Sequence, residues 1–195
     1  MSMNTPSQNK IPRLIPDRSA LLIVDMQERL IPVMRDSQKL VRRTARLVQG
    51  AHLMGVPLLV TMQYPRGLGE TVNEIARHFV DPHCIEEKTL FSACVDPVRT
   101  QLELLGVESV VVAGVEAHVC ILGTCLDLLD AGYRVFPAWD AISSRRADDK
   151  QAARERLNQA GAVPTTVESA LLEWVGDASH GRFRLVQELI KGGGH

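Results

Sequence analysis

The sequence has few cysteines and no pattern that would use them to bind metal or to crosslink the chain. Its 195 residues include four cysteines, none in a CxxC pair or at a Cys/His spacing typical of zinc sites. A chain of this length can bury a full hydrophobic core without disulfides. We therefore expect reduced thiols, a cytoplasmic location, and no metal or other cofactor.

An excess of charge and long apolar runs are also absent. The chain has 22 basic and 23 acidic residues, a net charge of −1 at pH 7, so neither nucleic acid nor a membrane is the expected partner. No apolar run is long enough to span a bilayer, and residues 1–16 lack the apolar core of a signal peptide. A small-molecule substrate is the expected partner.

Several common catalytic and nucleotide-binding motifs are missing. There is no Walker loop and no GxSxG. Residues 67–69 (GLG) do not begin a dinucleotide fingerprint, because Val72 stands where the third glycine is needed. No metal-ligand spacing links the histidines at positions 52, 78, 83 and 180. These absences disfavour nucleotide-dependent and metal-dependent chemistry.

The sequence does contain an alternation of short apolar runs with helical periodicities. The apolar runs predict strands, which cover residues 20–24, 56–60, 85–87, 109–113, 133–139 and 162–166. Helical periodicity predicts helices over residues 37–54, 97–105, 118–130, 148–160, 168–175 and 182–191. This alternation predicts an α/β, three-layer, doubly wound fold, with a six-stranded and mainly parallel sheet covered by helices on both faces.

One domain accounts for nearly the whole chain. We predict a single domain over residues 18–191, preceded by a flexible N-terminal segment at residues 1–17. The Gly-rich residues 192–195 form a tail outside it.

Three reactive side chains follow predicted strands. Asp25 follows the first strand, Lys88 the third, and Cys120 begins a helix after the fourth. Ligands of doubly wound sheets bind beyond the carboxyl ends of the strands. A helix N-terminus and a nearby ammonium both favour a thiolate. The pattern predicts a Cys120 nucleophile whose pKa is lowered by Lys88, with Asp25 as the proton relay.

Each of these residues also has a simpler interpretation. A cysteine in an apolar helix is more often a small buried hydrophobe, which is what we expect of Cys84, Cys94 and Cys125. An Asp after a strand is often a turn residue, and a lone Lys is usually solvated. A redox-sensing thiol would need a resolving cysteine, and Cys125 lies on the same helix at a poor angle.

A non-catalytic oligomeric scaffold or binding protein that keeps an inherited site is the alternative function. The C-terminal helix has overlapping apolar faces that are candidates for such packing, formed by Phe183, Val186, Leu189 and Ile190.

Three segments resemble the signature segments of isochorismatase-like hydrolases, in the family's order. They are residues 21–27 (LLIVDMQ), 87–92 (EKTLFS) and 114–121 (GVEAHVCI). Further stretches are similar to the branch called isochorismatase domain-containing proteins, at residues 63–69, 124–130, 140–145 and 175–180. The resemblance extends from about residue 18 to residue 191.

The resemblance implies a Cys120–Asp25–Lys88 catalytic triad at a switch point between adjacent first and fourth strands. It also implies a cis peptide bond between Val115 and Glu116, with the N–H groups of Glu116 and Cys120 forming an oxyanion hole. The implied oligomer is a homodimer, tetramer or octamer. The hypothesis is hydrolysis of a small amide or related C–N bond through a thioester. Candidate pocket residues are Gln63, Tyr64, Phe91 and His118.

The sequence departs from the family's patterns at three points, which narrow the expected activity. Residues 61–65 (TMQYP) lack the Asp-x-His metal site of nicotinamidases, so a metal-dependent nicotinamidase is not expected. Isochorismatases proper lack the nucleophilic cysteine that this chain has. Ala117 stands where many members have Thr, which removes a hydroxyl near the nucleophile.

Overall fold

The packed domain begins closer to the N-terminus than the sequence predicted. A computed structural model describes residues 11–192, so most of the predicted N-terminal segment and of the Gly-rich tail lies outside the described residues. Leu14 is buried, and its N–H donates to Glu173 Oε2 at 3.0 Å. The domain therefore includes part of the segment predicted to be flexible.

Five parallel strands form the sheet within the described residues. They are β1 (Ser19–Val24), β2 (Leu58–Gln63), β3 (Cys84–Lys88), β4 (Ser109–Val115) and β5 (Arg134–Ser143). Their order is β3-β2-β1-β4-β5. The chain winds outward from β1 to one edge and then crosses to β4 on the other side of β1. This creates a crevice between the ends of β1 and β4, the usual ligand position in such sheets.

Helices connect the strands. They are α1 (Ser37–Met54), α2 (Pro65–Leu68), α3 (Asn73–Ala76), α4 (Asp96–Leu104), α5 (Leu122–Asp130), α6 (Ala147–Gln159), α7 (Val167–Val175) and α8 (Phe183–Lys191). A π-helical turn, Ala117–Ile121, precedes α5, and short 3₁₀ turns lie at Pro16–Arg18 and Ile31–Val33. The longest helix, α1, has the predicted bounds and ends at Gly55 with φ 72°, a common way to terminate a helix.

The prediction of a sixth strand at residues 162–166 is wrong. This segment runs beside β5, where Val163 N donates to Val135 O and Thr165 N donates to Pro137 O, but only a single bridge forms, between Ala138 and Thr165. Pro137 has no N–H to donate back to the neighbouring segment. The ladder therefore lacks one of its bonds, and the pairing stays too short to form a strand.

Side chains of the central strands alternate between two apolar layers. Leu21 and Ile23 of β1 pack with α1, α7 and α8 on one face of the sheet. Leu22 and Val24 pack with α4, α5 and α6 on the other. Both faces are thus covered, which is why these strands appear in the sequence as continuous apolar runs.

The apolar face of α8 is used within the chain. Val186 is fully buried, and Phe183 and Ile190 pack against the layer that contains α1 and α7. The domain itself therefore covers part of this face, and packing between subunits through the remainder stays a prediction.

Close approach of β1 and β4 makes a strong prediction for Gly114. Its φ is 133°, and a Cβ added there would lie 2.0 Å from the backbone oxygen of Val24. Gly114→Ala is expected to lower the free energy of unfolding by at least about 2 kcal/mol, because a backbone carbonyl cannot yield. Chemical denaturation measures this loss.

Gly132→Ala is the matched control for that prediction. Gly132 also has a positive φ, 90°, but open space surrounds its Cβ position. Backbone strain alone should cost about 1 kcal/mol there. Equal losses in the two variants would contradict the close-approach explanation.

Candidate active site

Asp25 lies directly after β1 in a left-handed backbone conformation. Its φ is 54°, a region that Asp tolerates better than most residues. The carboxylate is fully buried. Its Oδ1 accepts a hydrogen bond from Thr61 Oγ1 at 3.0 Å, and its Oδ2 accepts one from Lys88 Nζ at 2.7 Å. These partners offset the cost of placing a carboxylate inside the protein.

Lys88 is the last residue of β3 and is held by oxygens on several sides. Its Nζ contacts Asp25 Oδ2 at 2.7 Å, Gln63 Oε1 at 2.8 Å, Phe91 O at 3.1 Å and Leu90 O at 3.2 Å. Only 1% of the side chain is exposed. All three ammonium hydrogens therefore have acceptors, and Lys88 is fixed as the ionic partner of Asp25.

Cys120 lies in the π-helical turn rather than in the regular helix predicted from residue 118. The side chain is almost fully buried. The Asp25 carboxylate and the Lys88 ammonium are close enough to its thiol to change the thiol's pKa in opposite directions. Cys120 O accepts from Thr124 Oγ1 at 2.5 Å. The structure thus brings Asp25, Lys88 and Cys120 together from three separate parts of the sequence.

The pKa values differ from the sequence-based expectation of a preformed thiolate. Burial and the neighbouring Asp25 carboxylate raise the pKa of the Cys120 thiol to about 12, although Lys88 acts in the opposite direction. Burial also raises the pKa of the Asp25 carboxyl, against the opposing effect of Lys88. The thiol is therefore neutral near pH 7, and the neighbouring carboxylate has a raised pKa and hence increased basicity.

The backbone beside Cys120 is arranged around the carbonyl of Glu116. That oxygen accepts from the N–H groups of Val119 and Ile121, at 3.1 and 3.2 Å. The N–H of Cys120 lies between these donors in the chain and does not bond to Glu116 O. The peptide bond between Val115 and Glu116 is cis. The π-helical spacing thus separates the Cys120 N–H from the acceptor that its neighbours share.

The four predicted pocket residues have different surroundings. Gln63 contacts Lys88 directly, and its Nε2 donates to Thr89 O at 2.8 Å. Phe91 contributes its backbone oxygen to Lys88, whereas its side chain is 65% exposed, and Tyr64 is 55% exposed. His118 Nδ1 lies 3.1 Å from Ser144 Oγ. Gln63 is thus a support for Lys88, and His118 contacts the end of β5.

Two threonines hold the candidate triad in place and were missed in the sequence. Thr61 donates to Asp25, and the register that pairs Val24 with Thr61 places them side by side. Thr124 Oγ1 donates to Cys120 O and accepts from Ala93 N. These bonds join the π-helical turn that contains Cys120 to the loop after Lys88. The available signal for Thr61 was its position near the end of the strand that adjoins β1.

The described residues contain neither a metal-binding cluster nor a helix that could span a membrane. Between residues 11 and 192, no group of three or more His, Cys, Asp or Glu side chains is placed to hold a metal ion. In the same range, no helix has the length and apolar character needed to cross a membrane.

Comparisons with known proteins agree on one family. The isochorismatase domain matches residues 19–169. Isochorismatase domain-containing protein 1 of Salmo salar is 41% identical over 179 residues, which cover 91% of this chain and 62% of that protein. Isochorismatase domain-containing protein 2 of Danio rerio is 39% identical over 181 residues, which cover 92% of this chain and 90% of that protein.

Solved structures share the fold. The structure of MAR1 ribonuclease from Caenorhabditis elegans superposes with a TM-score of 0.89 at 38% sequence identity. The match covers 92% of this chain and 93% of that one.

Proposed function

The chain belongs to the isochorismatase family, a family of hydrolases, and from this premise we propose that it cleaves a small amide or related C–N bond through a thioester on Cys120. The observation that supports the proposal is the burial of three groups in one site: the Cys120 thiol, the Asp25 carboxylate, and the Lys88 ammonium 2.7 Å from that carboxylate.

Acylation begins with transfer of the thiol proton to Asp25 as the sulfur attacks the substrate carbonyl. The new C–S bond pushes the carbonyl electrons onto oxygen, and the N–H groups of Cys120 and Glu116 are the candidate donors to that oxyanion. When the intermediate collapses, the C–N bond breaks and Asp25 returns the proton to the leaving amine.

Deacylation repeats this chemistry with water. Asp25 removes a proton from a water molecule that attacks the thioester, the C–S bond breaks, and the sulfur regains the proton. The Lys88 ammonium balances the charge of the Asp25 carboxylate in the buried site. This cycle needs no metal or other cofactor.

Location and assembly belong to the same proposal. All four cysteines are free, as expected in a reducing compartment such as the cytoplasm. A homo-oligomer remains our expectation, because exposed Tyr64, Leu90 and Phe91 surround the end of β3 close to Lys88 and are candidates for burial by another subunit.

A panel of small amides, ureides and carbamates, read out as ammonia release, tests the proposal. We expect turnover of at least one of them. A short single-stranded RNA belongs in the panel because one relative is named a ribonuclease, and we expect it to stay intact. Absence of turnover across the panel would favour the non-catalytic scaffold, and RNA cleavage that depends on Cys120 would replace the amide assignment.

The pH dependence of kcat/KM follows from the raised pKa of Asp25. Asp25 must be ionised to accept the thiol proton, so kcat/KM should rise with pH through an acid limb whose midpoint lies above the ordinary value of 3.8. The hydrogen bond from Thr61 lowers the pKa of Asp25. Thr61→Val should therefore move that limb to higher pH. Rates measured from pH 4 to pH 9 test both expectations.

Thr44→Val is the control for Thr61→Val. Thr44 is also a buried threonine, but it lies on α1 and its hydroxyl has no partner among the described residues. Its replacement should leave the acid limb where it is. Identical shifts in both variants, or no shift with Thr61→Val, would contradict the role of Asp25 as the base.

A further inference from the structure

A cavity lies beside the π-helical turn Ala117–Ile121, the nucleophile turn, and is distinct from the candidate active site. Its volume is about 430 Å³, and none of Asp25, Lys88 and Cys120 lines it. Its walls come from the first turns of α1 and α6, the end of β5, and the residues that precede α7. We name this space the cationic cavity. Ser144 in its wall contacts His118 of the nucleophile turn.

Positive charge is concentrated in this cavity, although the whole chain has a net charge of −1. Two carboxylates line it, those of Asp36 and Asp140. The cationic lining residues are Arg35, Lys39, Arg43, Arg146, Lys150 and Arg154. So large an excess of cations in a concave space produces a strong local positive potential.

Some of these charges are used to build the wall. Arg43 forms an ion pair with Asp140, and the other carboxylate oxygen of Asp140 accepts from Val167 N at 2.8 Å, at the start of α7. Lys150 Nζ donates to Trp139 O at 2.7 Å and to Ile142 O at 2.6 Å. Arg43 and Lys150 therefore hold the wall of the cavity together.

Arg154 lies over the Trp139 ring, 5.9 Å from its centroid, and the other three cations have no comparable contact among the described residues. Within residues 11–192, the side chains of Arg35, Lys39 and Arg146 have no carboxylate within salt-bridge distance. Burial lowers the pKa of Lys150, and Arg154, Arg43 and Lys39 lower it further. Asp36 offsets part of this repulsion between cations, and a bound anion would offset more of it.

Two helix N-termini add donors to the same space. The N-cap residues of α1 and α6 are Asp36 and Arg146, and neither side chain caps its helix. Both line the cavity. Uncapped N–H groups at the start of a helix bind anions, and phosphate most characteristically.

We propose that the cationic cavity binds a small molecule that carries a phosphate or polyphosphate group. Guanidinium groups match phosphate oxygens in bidentate geometry, and the lysines add point charges. A volume of about 430 Å³ is within the range of small-molecule pockets. The concave shape favours a compact ligand over an extended nucleic-acid strand, which would need a continuous surface.

Calorimetric titration of the full chain with pyrophosphate, at constant ionic strength, tests the proposal. The cavity variant is Lys39→Gln with Arg146→Gln. The matched control is Arg42→Gln with Arg156→Gln, which removes two exposed charges from α1 and α6 outside the cavity lining. We expect the cavity variant to bind pyrophosphate at least about tenfold more weakly than wild type, because two charged contacts are lost. The control should bind like wild type.

Competing probes make the assignment specific. Citrate is a small anion whose negative charge is carried by carboxylates, and a short RNA carries its phosphates on a polymer. Pyrophosphate binding that the cavity variant weakens and the control retains would support the proposal. Absence of pyrophosphate binding, equal weakening in both variants, or tighter binding of citrate or RNA at this site would overturn it.

Discussion

Cys120→Ala is expected to reduce kcat/KM at least about 10⁴-fold on any substrate that the protein turns over, because the nucleophile of a covalent mechanism has no substitute. The fold should survive. The change removes one sulfur atom from a nearly buried position, which costs about 1–2 kcal/mol. Initial rates and chemical denaturation of the same preparation measure the two effects separately.

Cys125→Ala is the matched control for this variant. Cys125 is fully buried on α5, the helix that follows the nucleophile turn, and burial strongly raises its pKa. It has the same chemistry as Cys120 but no neighbouring base. Its replacement should lower stability to a similar extent and leave kcat/KM within about tenfold of wild type. Equal losses of activity in the two variants would show that packing, and not nucleophilicity, explains the effect.

Lys88→Met is expected to have the largest effect on stability. Removal of the ammonium leaves the fully buried Asp25 carboxylate without its charged partner, which costs about 3–5 kcal/mol. Protonation of Asp25 offers partial relief. In this variant the pKa of Asp25 in the folded state lies further above its unfolded value, so the folded state holds a proton that the unfolded state releases. Stability should therefore fall as pH rises.

A double variant separates the ionic role of Lys88 from simple packing. Asp25→Asn with Lys88→Met removes both charges, and most of the lost stability should return, with little dependence on pH. Activity should stay absent, because the base is gone. Denaturation of the single and double variants from pH 5 to pH 8 tests this coupling. Additive losses in the double variant would contradict an ionic partnership between the two residues.

The sequence predicted the parts of the fold that depend on periodicity and strand order. The apolar run at residues 20–24 and the helix over residues 37–54 lie where the structure has β1 and α1. Adjacency of β1 and β4, which the family resemblance implied, is present in the sheet. Because both strands end in the same crevice, the two residues that follow them, Asp25 and Cys120, could be expected to meet.

The errors came from properties that depend on backbone pairing and on burial. The sixth strand is missing because Pro137 lacks the N–H that a longer ladder needs. The sequence pattern of α8 showed an apolar face but not its partners within the chain, which are α1 and α7. A pattern fixes which side chains share a face, and tertiary packing decides what covers it.

The state of the thiol was also beyond what the sequence could indicate. The helix N-terminus and Lys88 suggested a lowered pKa for Cys120, and Lys88 does act in that direction. Burial and the Asp25 carboxylate outweigh it, and the depth of the site could not be deduced from spacing. In the proposed mechanism, Asp25 therefore activates the thiol during attack.

Mass spectrometry of the acyl-enzyme tests the covalent mechanism most directly. The substrate is an activated ester of the acid product, and the reaction is quenched with acid during turnover before peptide mapping. An activated ester acylates quickly, so the acyl-enzyme should accumulate before water releases it. We predict a thioester on Cys120 and on none of Cys84, Cys94 and Cys125. Turnover with the acyl group on another residue, or with an unmodified Cys120 throughout a kinetic burst, would contradict the proposed covalent mechanism.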